Sequence, residues 1–190
     1  MKDTKNPTAV RSQKELINAL LALMKTTPYE EISVKQILLE SKLSRKTFYR
    51  NFDDKDDLLN AHIDSLLLEY RNDLIVNNNY IFTNIMYVVS DFIIKNKEKL
   101  VILWKNNLEY MLLKKLNTFI LTTHYSLKKN NTSRIDDYIV MLNNGAVWNV
   151  MNEWMKSGMQ DPIDEILASL SDYLMNIEKY DLSDICRRFE

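Results

Sequence analysis

From Ser44 to Phe52 the chain reads Ser-Arg-Lys-Thr-Phe-Tyr-Arg-Asn-Phe, and few environments accommodate that string. Three cations, the hydroxyls of Ser44 and Thr47 and three aromatics share about two and a half turns of a short predicted helix. A helix surrounded by water gains nothing from Phe48, Tyr49 and Phe52, and a buried one does not carry Arg45, Lys46 and Arg50. One face in a small core and the other against a polyanion satisfies both sets, and the polyanion this points to is nucleic acid.

The surrounding sequence supplies the rest of such a unit. Leu16, Ile17, Leu20, Leu21, Leu23 and Met24 recur at helical spacing and predict a first helix from about Arg11 to Thr26, preceded by a frayed polar leader containing Pro7. Pro28 and Tyr29 break it. Ser33 can cap a second helix that turns Val34, Ile37 and Leu38 inward and runs to about Ser41. A short turn through Lys42 and Leu43 leads to Ser44, a good N-cap for the third helix, and the whole reads as helix-turn-helix. Asp53 and Asp54 cap a fourth helix from about Lys55 to Leu74, with Asp56 and Asp57 favourably placed in its first turn.

Beyond Asn77, Asn78 and Asn79 the periodicity predicts helices over about Tyr80 to Lys95, Glu98 to Trp104, Leu108 to Lys129, Arg134 to Ser157 and Pro162 to Glu178. Gly158 suits a helix C-cap and Pro162 a first helical turn. With two glycines and three prolines in 190 residues, a sheet-rich fold lacks its turn formers, and 46% apolar content is enough for a core. The expected architecture is all-α with about nine helices. It divides into a DNA-binding unit over 1–54, a linking helix over 55–78, and a dimerisation and effector unit over 79–190.

Charge is uneven. The whole chain carries −1, but Ser33 to Phe52 holds five basic residues against one acidic, while from Ala61 onward 14 basic residues face 17 acidic ones. A local basic patch on a mildly acidic body suits a small, specific DNA contact. The two histidines, His62 and His124, lie far apart, no Gly-rich phosphate loop occurs, and Cys186 has no base near it in sequence, so neither an enzyme, a metal nor a cofactor is expected. The single cysteine leaves no intrachain disulfide, residues 1 to 14 do not resemble a signal peptide, and no apolar run is long enough to span a bilayer. A bacterial cytoplasmic location is the expectation.

The last two helices are apolar on more sides than one chain can cover. Tyr138, Leu142, Val147, Val150 and Trp154, followed by Ile163, Ile166, Leu167, Leu170, Tyr173 and Leu174, predict a four-helix interface between two copies.

The run from Ile32-Ser33-Val34 and Ile37 through Leu43-Ser44-Arg45-Lys46-Thr47-Phe48-Tyr49 to Phe52, Lys55, Leu58 and Leu59 resembles the TetR/AcrR family of transcriptional regulators. The resemblance is specific over about Gln13 to Leu67. Gly145-Ala146-Val147-Trp148, Trp154, Gly158-Met159 and Pro162 are similar to the dimer-forming end of the dihydroxyacetone-kinase regulator group. Two positions depart from the family pattern: Lys42 and Lys46 stand where a small residue or glycine is usual, so Lys42 must tolerate the turn, with φ > 0.

The resemblance implies a homodimeric regulator, commonly a repressor, on a pseudo-palindromic double-stranded DNA operator, with a small-molecule effector of unspecified class. Ser44, Arg45 and Lys46 then reach base edges, and Thr47, Tyr49, Arg50 and Lys55 contact phosphates, with Ser33 at the edge of the footprint. Phe48 and Phe52 are core. Phe92, Trp104, Tyr110, Met111 and Phe119 are expected to line an effector pocket. The aromatic-rich, nearly neutral body also admits a second reading, a regulator-like protein acting through a protein partner.

Overall fold

A computed structural model describes residues 6–77, 82–127 and 134–176. Within these the chain is helical: α1 (Pro7–Met24), α2 (Val34–Ser41), α3 (Arg45–Asn51), α4 (Lys55–Asn77), α5 (Phe82–Lys95), α6 (Lys97–Lys105), α7 (Glu109–Leu127), α8 (Arg134–Lys156) and α9 (Ile163–Met175). Asn78 and Asn79, the centre of the expected boundary, and Cys186 lie outside the described residues. None of the described helices is long and apolar enough to cross a membrane.

Residues 7–10, expected to belong to a frayed leader, are instead the first turn of α1. Pro7 occupies a first-turn position, where its missing N–H costs nothing, and the Asn6 side chain accepts a 3.0 Å hydrogen bond from the Thr8 N–H. The break at Pro28 takes the form of a 3-10 turn, Tyr29–Glu31, that buries Tyr29. Ser33 caps α2 through a reciprocal box with Gln36, and Lys42 ends that helix at φ 56°, ψ 26°. A lysine in the left-handed region pays roughly 1–2 kcal/mol of steric strain that glycine would avoid. At the far end Gly158 and Met159 both take positive φ, which lets the Met159 N–H reach the Trp154 carbonyl at 2.9 Å and close α8.

α1 packs on α2, α3, α4 and α6, and α4 also packs on α5 and α7. Leu58, Leu59, Ala61, His62, Ile63, Leu66, Leu67 and Tyr70 of α4 are all buried. At 100° per residue they cover about 240° of its circumference, so α4 is a spine between the N-terminal helices and the rest. One apolar core runs from Leu16, Leu20, Ile37, Phe48 and Phe52 through α4 to Leu100, Leu103, Met151 and Trp154.

A second tie joins the two ends. Asn106, just beyond α6, donates from Nδ2 to the carbonyls of Met24 (3.2 Å) and Ile102 (2.8 Å), while its Oδ1 accepts from the Tyr29 N–H at 2.8 Å. Tyr29 is held at three further points: its carbonyl by the Lys55 ammonium, its ring beneath that same cation, and its hydroxyl by Asp56.

Candidate nucleic-acid interface

The capping geometry of α3 fixes which of its side chains are available. Ser44 stands in extended conformation and its hydroxyl accepts from the Thr47 N–H at 3.1 Å. The two hydroxyls also pair with each other at 2.9 Å. Asn51, almost fully buried, donates to the Thr47 carbonyl at 2.7 Å and accepts from Gln13 of α1 at 3.3 Å. With Phe48 and Phe52 wholly buried and their rings 6.1 Å apart, this seam locks α3 against α1.

Locking one face aims the other. At 100° per residue, Thr47, Phe48, Asn51 and Phe52 point into an inner sector of about 140°, and Arg45, Lys46, Tyr49 and Arg50 fill an outer sector of about 140°. All four outer residues are exposed. The Arg45 guanidinium lies 5.4 Å from the Tyr49 ring centroid, a cation–π contact that pre-orders the arginine along the helix. Tyr49 in turn stands edge-on to Phe48 at 5.3 Å, so a buried ring positions an exposed one. The exposed sector thus presents three cations and a phenol on a short helix with a rigid back.

Four residues expected to face DNA have intramolecular partners. The Lys55 ammonium donates to the carbonyls of Tyr29 (2.9 Å) and Glu30 (3.0 Å) and sits 4.6 Å above the Tyr29 ring, so two of its three N–H groups are engaged within the protein. The carbonyls at the end of the 3-10 turn outcompete solvent for it because they point at the first turn of α4. The Ser33 hydroxyl is bonded to Gln36 at 2.7 Å, and those of exposed Ser44 and half-buried Thr47 to each other. Asn51 and Gln13 are the members of the site that sequence reading missed. A buried amide four residues after a capped threonine, facing a glutamine in the first helix, was the available signal.

Residues 16–62 match the family model described as "Bacterial regulatory proteins, tetR family". Over these residues the chain is similar to that family. The match covers α2, α3 and their turn whole, with the end of α1 and the start of α4, as the motif running from Ile32 to Leu59 implied. Over 113 residues the chain is 27% identical to the HTH-type dhaKLM operon transcriptional activator DhaS of Lactococcus lactis subsp. lactis (strain IL1403), covering 53% of this chain and 60% of that relative. Among solved structures, a dihydroxyacetone kinase operon activator DhaS superposes with TM-score 0.55 at 19% identity, over 87% of this chain and 95% of that one. The fatty acid degradation regulator FadR from Bacillus halodurans does so with TM-score 0.57 at 15% identity, over 94% and 100%. Both share the fold of this chain.

The residues expected to form one effector pocket fall on two sides of the protein. Phe92 and Trp104 line an inner cavity of about 60 Å³ with Leu67, Tyr70, Trp148 and Met151; Trp148 stacks on Trp104 at 5.8 Å. Its polar lining residues, Asn144 and Asn152, are bonded to Asn117 and to the Trp104 indole N–H, and no charged group reaches it. Tyr110, Met111 and Phe119 belong instead to an outer cleft between α4 and α7, because Tyr110 lies two residues before buried Leu112, about 200° around the helix, and turns outward.

The expected dimer face divides as well. Tyr138 and Leu142 are 64% and 72% exposed, and Val150, Ile163, Ile166, Leu170 and Tyr173 are half-buried. Val147, Trp154 and Leu167 are buried within their own protomer, Trp154 donating to the Asp161 carbonyl at 3.0 Å, so these three support the face from behind rather than form it. Leu174 lies on α9, with its side chain outside the described residues.

Proposed function

We propose that this chain is a cytoplasmic transcriptional regulator that binds a pseudo-palindromic operator as a homodimer, each protomer laying α3 in a major groove. The observation that carries the reading is the split of α3: Arg45, Lys46, Tyr49 and Arg50 outward, Phe48, Asn51 and Phe52 buried behind them. Arg45 and Lys46, in the first turn, read base edges, and Tyr49 and Arg50 hold phosphates. Residues 1–54 act as the DNA-binding head, 55–78 as the link and 79–190 as the dimerising body.

Dimerisation proceeds through the exposed flank of α8, at Tyr138 and Leu142, with the half-buried side chains of α9, since a two-fold face must be self-complementary. A small effector in the body shifts α4 and so the spacing of the two heads. The family resemblance favours repression, whereas the curated relative is named an operon activator. Both signs use the same protein–DNA geometry, and a promoter fusion with and without the gene reads which one operates.

The test is selection of bound sequences from random DNA, followed by titration of the winning site with wild-type protein and with the Arg45→Ala/Lys46→Ala variant. A bidentate base contact carries about 1–3 kcal/mol of discrimination, so the variant should lose at least tenfold in specific affinity while its oligomeric state is unchanged. Wild-type affinity in the variant would remove α3 as the reading element.

A further inference from the structure

The outer cleft between α4 and α7 is an open groove of about 850 Å³ lined by both apolar and basic side chains. Leu68 and Tyr110, 56% and 61% exposed, lie with Met111 and Phe119 as an apolar floor open to water. Arg71, Lys114 and Lys115 stand at the rim. Lys115 is spent on the protein itself, bridging to the Asp64 carboxylate and the Asn60 carbonyl of α4. Arg71 and Lys114 form no ion pair among the described residues.

The volume falls within the range of small-molecule sites, and an open apolar floor beneath two unpaired cations selects its occupant by chemistry. A wholly apolar molecule leaves the cations unused. A compact polyanion leaves the floor wet. We propose that this cleft binds an amphiphilic monoanion, a carboxylate on a hydrocarbon chain of about eight carbons or more, with the carboxylate at Arg71 and Lys114 and the chain along Leu68, Met111 and Phe119. The site is separate from the inner cavity, which has no charged wall, and its existence does not depend on how the protein acts at DNA. Because its walls are α4 and α7, already cross-linked by Lys115, occupancy bears directly on the helix that supports the head.

Calorimetric titration of the full-length chain with octanoate, decanoate and dodecanoate, each kept below its micellar concentration, tests the assignment. Partial to full burial of a methylene gives about a two- to fourfold gain in affinity per added carbon. Arg71→Ala/Lys114→Ala should weaken decanoate at least about tenfold while leaving decanol unaffected, since the lost contacts are charged hydrogen bonds. Leu68→Asp should abolish both ligands. These side chains are exposed, so the variants keep the fold, which circular dichroism verifies. Equal affinity across the chain-length series, equal binding of decanol and decanoate by the wild type, or undiminished decanoate binding in Leu68→Asp would each overturn the proposal.

Discussion

His62 sits on α4 with its Nε2 buried and without a hydrogen-bond partner among the described residues. Burial, with Lys99 as a secondary cause, lowers its pKa to about 4, so it is neutral in the folded protein across the physiological range. The unfolded chain holds the proton below about pH 6.5, where the folded chain does not. Stability should therefore be fully present above about pH 6.5 and fall as the pH drops towards 4, by up to roughly 3 kcal/mol. His62→Leu should flatten that slope in chemical denaturation at pH 7, 5.5 and 4.5; an unaltered slope would assign the acid sensitivity elsewhere. At this scale the sequence was most legible where a residue type has one use. Phe48 and Phe52 among cations could only be anchors, and Lys42 in a tight turn had to enter positive φ. The carbonyl contacts of Lys55 were not legible, because a lysine at a helix start can serve a phosphate or backbone carbonyls, and the position of the preceding 3-10 turn is not written in it.

Helices were legible because their apolar periods are long and their caps explicit: Ser33, Ser44 and the residues around Gly158 stop and start elements where expected. The first turn of α1 was not, since Pro7 reads as a breaker unless Asn6 before it is recognised as a cap. Nor was the tie between α6 and the N-terminal helices, which joins residues 77 and 82 positions apart through one amide. Asn106 is the only described side chain that hydrogen-bonds both the end of α1 and the 3-10 turn. Asn106→Ala should cost about 1–3 kcal/mol in denaturant unfolding, because it leaves the Tyr29 N–H and the Met24 carbonyl short of a partner in a half-buried seam. Hydrogen exchange should quicken first at Tyr29 and the residues after it. If protection there is unchanged while global stability falls, the amide is a local brace and the head is held through α4 alone.

For the whole molecule, the two surplus features of the body are its outer cleft and the exposed flank of α8, and they make different demands. On the proposed reading the flank takes a second copy. Leu142→Glu places a charge on the proposed two-fold face twice over, and should weaken the dimer at least about 100-fold, as read by sedimentation across a concentration series. Binding to a full operator should fall with it while half-site binding persists. A dimer indifferent to Leu142→Glu would exclude this flank. A steep fall of DNA affinity with salt, as counterions are released from neutralised phosphates, would favour direct DNA control over action through a protein partner.

All three tryptophans, Trp104, Trp148 and Trp154, lie in the C-terminal helices, and the first two are stacked. The N-terminal helices hold none, so indole emission and the near-ultraviolet signature of the coupled pair are a label-free optical channel for one end of the protein. An event at the end that carries α3 and alters this signal crosses the contacts that α4, α6 and Asn106 make with the N-terminal helices, and its arrival can be timed by stopped flow with no dye attached.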